Sequence, residues 1–243
     1  MTYCVGLKLS SGLLYMSDTR TNAGVDNIST VPKMTSWDVP GDRTITLMSA
    51  GNLATTQAVT AWLEERNKRP DERSPSILSA PSMFDVARIV GDTLRTEVDH
   101  RGGGADAGST PFSGTFILGG QIAGSEPRLY LIYPEGNFIE ATRDNPFFQI
   151  GEAKYGKPIL IRAFDAGMSY GEAVKLLLVS MDSTVRSNLS VGPPFDVRFV
   201  ENGAFSPTHE ARITTDDPYY LSLAEGWSDA LRDAFKGLPN YTA

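Results

Sequence analysis

The order in which strand-like and helix-like segments succeed one another limits this chain more than any other feature. Strand-like runs come first, then two helical stretches, then strands, two more helices, strands and a last helix. A doubly wound parallel sheet needs strict strand–helix alternation, which is missing here. Two antiparallel sheets with helices on both outer faces fit the count, an α+β arrangement. The opening segment predicts a hairpin, with arms at 3–9 and 13–18 around the turn Ser10-Ser11-Gly12. Further strands are expected at 43–48, 115–118, 129–132, 137–141, 197–200 and 212–214. Helices are expected at 53–68, after the cap Ser82, at 153–165 and at 170–181. A last helix is expected at 219–236, where Leu223, Trp227, Leu231 and Phe235 recur every four residues. Residues 25–42 read as a polar, proline-broken connection, and 71–81 as a polar loop.

The hairpin has a chemical consequence. Strands rise about 3.3 Å per residue, so two equal arms return Asp18 to the level of Thr2. An initiator methionine is normally trimmed before a small residue, and Thr2 follows Met1. A leading threonine joins a hydroxyl to an α-amine whose ordinary pKa, about 7.7–8.0, suits a base near neutrality. Threonine activated by its own amine is a known nucleophile arrangement. A lysine nearby, Lys33, would favour the alkoxide and depress the amine pKa, and Asp18 would keep that lysine charged and oriented. Each residue also has a plain reading: many chains begin Met-Thr, aspartate is common in turns, and most lysines are solvated.

Taken together, Thr2, the run Asp18-Thr19-Arg20-Thr21-Asn22-Ala23-Gly24, Lys33 and Ser49-Ala50-Gly51-Asn52-Leu53-Ala54 resemble the proteasome β-type N-terminal-nucleophile hydrolases. The resemblance continues in order through Gly151, the helix after Ser169, and Ser190, covering most of the chain. The Met-Thr start without a pro-segment and the extended C-terminus look most like the bacterial Anbu, or ancestral β-subunit, branch. The resemblance implies a four-layer αββα sandwich in a single domain, 1–243, with a C-terminal helical extension at about 215–243. It implies amide-bond hydrolysis of a peptide or protein by Thr2, with Asp18, Lys33, the Gly51 N–H as oxyanion donor, and Ser190 near the amine. It also implies self-association as a ring or open helix, with room for an ATPase or other enzyme partner. Residues Thr21, Val31, Ser49 and Leu53 are expected to line the specificity pocket.

Two positions depart from the family pattern. Glu152 stands where a serine usually follows the glycine equivalent to Gly151, and Ser187 stands where an aspartate usually precedes Ser190 by three. Ser187 supplies no charge; Glu152 supplies one that either compensates or raises the amine pKa and slows proton transfer. Ordinary peptides are therefore expected to be poor substrates. A subunit of a ring or filament without catalysis is the alternative, although such a subunit has no need of Thr2, Asp18 and Lys33 together.

Composition excludes other classes. A net charge of −7 argues against nucleic acid or an anionic membrane as partner, and no apolar window approaches a membrane span. A single cysteine, Cys4, cannot form an internal disulfide, and positions 6–12 are too polar for a signal peptide, which together favour the cytoplasm. Two histidines and one cysteine far apart give no metal cluster, and no cofactor is expected. The glycine-rich stretch 102–108 follows a helix and reads as a loop, not a dinucleotide cradle. Gly167-Met168-Ser169-Tyr170-Gly171 matches the nucleophile-elbow pattern, but a helix-like run precedes it, and Ser169 with Glu172 makes a capping box. His209 is the one histidine in the right chain order to serve that serine.

Overall fold

A computed structural model describes residues 1–22, 28–70, 72–102 and 111–242. Ala23 and Gly24 of the Asp18 run, and most of the glycine-rich stretch, lie outside the described residues. The chain is mixed α/β, with antiparallel sheets and five helices among the described residues. Strand β1 (Tyr3–Leu9) pairs with β2 (Gly12–Asp18), then come β3 (Arg20–Asn22), β4 (Ile28–Thr30), β5 (Met34–Val39) and β6 (Arg43–Gly51). Helices α1 (Leu53–Asn67) and α2 (Met83–Gly102) lead to β7 (Gly114–Ile122), β8 (Arg128–Ile132), β9 (Phe138–Glu140) and β10 (Phe147–Gly151). Helices α3 (Ala153–Ala163) and α4 (Tyr170–Ser187) precede β11 (Phe195–Glu201), β12 (His209–Ile213) and α5 (Pro218–Lys236).

One five-stranded sheet runs β10-β1-β2-β11-β12, the other β5-β6-β7-β8-β9, and every pairing in them is antiparallel. Strand β2 is buried along its whole length, as a strand with both faces covered must be. Alternation sorts the side chains. Tyr3, Val5 and Leu7 join Leu160 of α3, Leu177 and Met181 of α4 and Phe195 of β11 in one apolar cluster. Cys4 and Tyr15 point the other way and join Met48, Ile117, Leu129 and Ile150, residues of both sheets. Ile45, Leu47, Phe116 and Leu118 join Val59, Leu63, Val90 and Leu94 of α1 and α2. At Gly6 an added Cβ would stand 3.0 Å from Ile117 Cγ2 and 3.1 Å from Leu129 Cδ1, so the sheets approach closely there.

Four differences from the sequence expectation stand out. The segment expected as connection at 25–42 contains β5, an edge strand whose residues alternate between half-covered and exposed, so no apolar run marks it. Strand β10, also at a sheet edge and five residues long, was hidden by its polar Gln149 and by Pro146. Helix α4 runs on to Ser187 because its last turns are polar but pack their Thr184 inward. In α5 the four-residue repeat does not define the covered face. Tyr220 and Ala224 are buried, while Leu231 and Phe235 are 51% and 77% exposed. No helix among the described residues is long and apolar enough to cross a membrane.

Candidate active site

The hairpin register sets the site. Cys4 lies opposite Ser17, so Asp18 ends β2 beside the start of β1, and the Tyr3 N–H donates to its Oδ1 at 3.0 Å. Lys33 arrives from the far side, after Pro32, and is held by the Ser49 N–H donating to its carbonyl at 2.9 Å. Its ammonium donates to Asp18 Oδ1 at 2.6 Å, to the Arg20 carbonyl at 2.7 Å and to the Met1 carbonyl at 3.3 Å. Both side chains are buried, Asp18 completely. Burial pushes the Asp18 carboxyl above the ordinary carboxylate range; Lys33 and the N–H groups of Tyr3 and Gly192 pull it back only in part.

The opposite wall is the loop between α4 and β11, and the strand-end residues after Asp18 fasten it. The Gly192 N–H reaches Asp18 Oδ2 at 3.3 Å, Thr19 Oγ1 donates to the Pro194 carbonyl at 2.7 Å, and Arg20 Nη1 donates to the Leu189 carbonyl at 3.1 Å. A Cβ on Gly192 would stand 2.3 Å from the Arg20 Cζ, so glycine lets the guanidinium lie across the loop. These roles of Thr19, Arg20 and Gly192 were missed in the sequence. The available signal was a row of hydrogen-bonding side chains directly after a buried strand. Ser190 sits in this loop, half-buried, its own N–H donating to Asn188 Oδ1 at 2.9 Å; no hydrogen bond joins it to Thr2, Asp18 or Lys33. Ser187 turns away, donating to the Ser183 carbonyl at 2.9 Å on its own helix.

Two glycines occupy conformations that other residues rarely adopt. Gly151 has φ +81°, and a Cβ there would stand 1.9 Å from the Thr2 carbonyl oxygen; the Glu152 N–H donates to that same oxygen at 2.7 Å. Gly51 ends β6 with φ +113°, opposite Gly114, and Asn52 caps α1 by accepting from the Thr55 N–H at 3.1 Å. Beside Lys33 lies a cavity of about 150 Å³, lined by Pro32, Thr35, Ser49, Leu53 and Phe116 among others. Ser49 and Leu53 line it, whereas Thr21 and Val31 are not part of its wall. The Lys33 side chain, held inward by Asp18, takes the near end of that cavity instead.

Competing nucleophiles find no partners. The Ser169 hydroxyl is spent on the capping box, with Glu172 Oε2 at 2.7 Å, and α3 rather than a strand precedes it. His209 stacks on the Tyr170 ring with centroids 4.3 Å apart. Cys4 is fully buried, and burial pushes its thiol up, away from the thiolate. Among the described residues no group of His, Cys, Asp and Glu could hold a metal ion.

No family model matches this chain, and no curated protein does either. Solved structures match it end to end. It is similar to a mutant form of Anbu from Hyphomicrobium sp. strain MC1, at 50% identity over 100% of both chains with a TM-score of 0.92. The chain belongs to the Anbu family. Anbu, the ancestral β-subunit, from Yersinia bercovieri is 45% identical over 99% of both chains, with a TM-score of 0.91. Anbu from Pseudomonas aeruginosa, whose structure is described as a helical assembly, is 44% identical over 99% of this chain and 98% of that one, with a TM-score of 0.90. Full-length similarity at this level marks the chain as a proteasome-like β-subunit of the Anbu branch.

Proposed function

We propose that this Anbu subunit is an N-terminal threonine amide hydrolase, active once Met1 is removed. One observation carries the reading. A lysine ammonium has three N–H donors, and those of Lys33 go to Asp18, to the Arg20 carbonyl and to the carbonyl of Met1, which is the one acceptor that trimming deletes. Trimming frees a buried, oriented N–H beside Thr2. The Met1 carbonyl carbon is bonded to the Thr2 nitrogen, so the Lys33 ammonium at 3.3 Å from its oxygen lies within about 6 Å of the exposed amine. A like charge at that range lowers the amine pKa and favours its base form.

In this mechanism Thr2 Oγ attacks the amide carbonyl carbon while the α-amine takes its proton. Lys33 stabilises the developing alkoxide, with Asp18 anchoring the lysine. The Gly51 N–H faces the oxyanion, a donor typically worth about 2.7–4 kcal/mol of barrier. The amine returns its proton to the leaving nitrogen, and water then hydrolyses the Thr2 ester. Ser190 contributes through the loop that Arg20 holds.

The substrate is a peptide or protein whose side chain enters the small cavity beside Ser49 and Leu53. Self-assembly accompanies catalysis, a reading supported by the helical assembly described for the Pseudomonas aeruginosa relative. The three apolar clusters support stacking in the order helices, sheet, sheet, helices within one domain, with α5 as an appended element. Intact mass and amide cleavage test the proposal. The purified protein should lack one methionine, and Thr2→Ala should abolish cleavage of peptide amides. A full-length mass in cells would favour a non-catalytic assembly subunit, and cleavage that survives Thr2→Ala would place the chemistry at another site.

A further inference from the structure

Glu152 carries a second piece of chemistry that rests on the reading above. The β1–β10 register pairs Tyr3 with Gly151, and one step further it sets Glu152 opposite Thr2, joined by the 2.7 Å hydrogen bond from the Glu152 N–H to the Thr2 carbonyl. Glu152 occupies the N-cap position of α3, yet its side chain makes no cap hydrogen bond. Its Oε2 is instead buried without any hydrogen-bond partner, with the Lys154 ammonium, on a largely exposed side chain, at 3.7 Å. A buried carboxylate oxygen without a hydrogen bond is destabilising, and the 3.7 Å ion pair to a largely exposed lysine offsets that only in part.

We propose that Glu152 is a positioning residue, the counter-ion of the α-ammonium that Met1 removal exposes on Thr2. In this role it holds the amine protonated to a higher pH and orients it toward Oγ. The charged and titratable groups around that amine can be enumerated. Lys33 faces it from the segment before β5 and acts oppositely; Asp18, at the end of β2, is engaged with Lys33. Arg20 of β3 is engaged with the Leu189 carbonyl. From α3 come Glu152 and Lys154. From β1 itself, the Tyr3 phenol (pushed up to about 12 by burial) and the Cys4 thiol stay neutral. The loop after α4 offers only neutral Asn188 and Ser190. Glu152, paired only at 3.7 Å with the exposed Lys154, is therefore the carboxylate placed to offset Lys33, and it sets the pH at which the device begins to work.

The pH dependence of Thr2 amine acylation tests this on the full, assembled protein, read by mass of the N-terminal peptide. Glu152→Gln should lower the amine pKa by about one unit, a roughly tenfold gain in labelling on the acid side. The acid limb of kcat/KM should move by the same amount, and Glu152→Asp should restore part of it. Lys154→Met, at an exposed site, removes the competing cation; it should raise the amine pKa and keeps the test open if Glu152→Gln does not fold. An amine pKa unmoved in both Glu152→Gln and Lys154→Met overturns the proposal even while Thr2→Ala still abolishes cleavage. Retention of Met1 in the native protein overturns the mechanism and this proposal together, and the mass alone distinguishes the two failures.

Discussion

Replacing Lys33 by methionine removes one member of a buried pair and keeps its volume, so the result reports on electrostatics. Asp18 would remain fully buried with its carboxylate facing the two N–H groups of Tyr3 and Gly192 and no cation. Breaking a buried pair on one side typically costs about 3–5 kcal/mol, and the two remaining hydrogen bonds place this case at the lower end, about 3 kcal/mol. At about 2–4 °C per kcal/mol for chains of this size, the unfolding midpoint should fall by roughly 6–12 °C at neutral pH. The pH dependence gives the sharper test. A folded-state carboxyl pKa held above the unfolded value near 3.9 adds stability that is present at low pH and lost as pH rises through the folded value. Burial already pushes the Asp18 carboxyl up with Lys33 in place, and losing Lys33 pushes it further. The gap between variant and native protein should therefore close as pH falls toward 4, because Asp18 takes up a proton and the uncompensated charge vanishes. Thermal unfolding followed by circular dichroism at fixed protein concentration measures it, the concentration held constant because assembly would shift the midpoint. A Lys33→Met variant as stable as the native protein at pH 7, or a gap that widens in acid, refutes the reasoning.

Other substitutions probe the rest of the site. Gly151→Ala places a Cβ 1.9 Å from the Thr2 carbonyl oxygen at a φ of +81°, so it should destabilise by more than about 3 kcal/mol and displace Thr2, read by denaturant unfolding and by loss of amide cleavage. Gly192→Ala meets the end of a flexible arginine instead. Its cost should be about 1–2 kcal/mol, with faster amide hydrogen exchange confined to the loop before β11 as Arg20 releases it. Ser169→Ala should lose about 1 kcal/mol of α4 capping and leave amide cleavage unchanged; a lost activity would revive the elbow serine.

The legible features were those in which local pattern and global role coincide. An apolar hairpin with a tight polar turn must fold back, so the return of Asp18 to the chain start followed from the residues between Tyr3 and Asp18. Helices α1 and α4 announced themselves through Asn52 and the Ser169–Glu172 box. Edge strands β5 and β10 escaped notice because β5 has no apolar run on its half-covered face and β10 is only five residues long, with Gln149 within it and Pro146 before it. Of the four residues expected at a specificity pocket, two line the cavity beside Lys33. Ser49 and Leu53 follow from their place at the end of β6 and the start of α1, whereas Thr21 and Val31 depended on a neighbouring segment that spacing cannot position.

By itself the sequence determined which groups the molecule owns: a threonine directly after Met1, one carboxylate and one lysine at characteristic distances from it, and enough apolar alternation to build antiparallel sheets. Only the tertiary structure decided which of these groups meet. Lys33 could have been one more solvated cation; packing against Asp18, Arg20 and the first peptide bond buried it and fixed its three hydrogen bonds. The same packing gave Asp18, Thr19 and Arg20 their hold on a loop some 170 residues away, as the 169-residue separation of Arg20 and Leu189 illustrates. The physical reason is range. Strand and helix patterns are written in neighbours, while a charge's environment is set by whatever chain lies within a few ångströms, however distant in sequence.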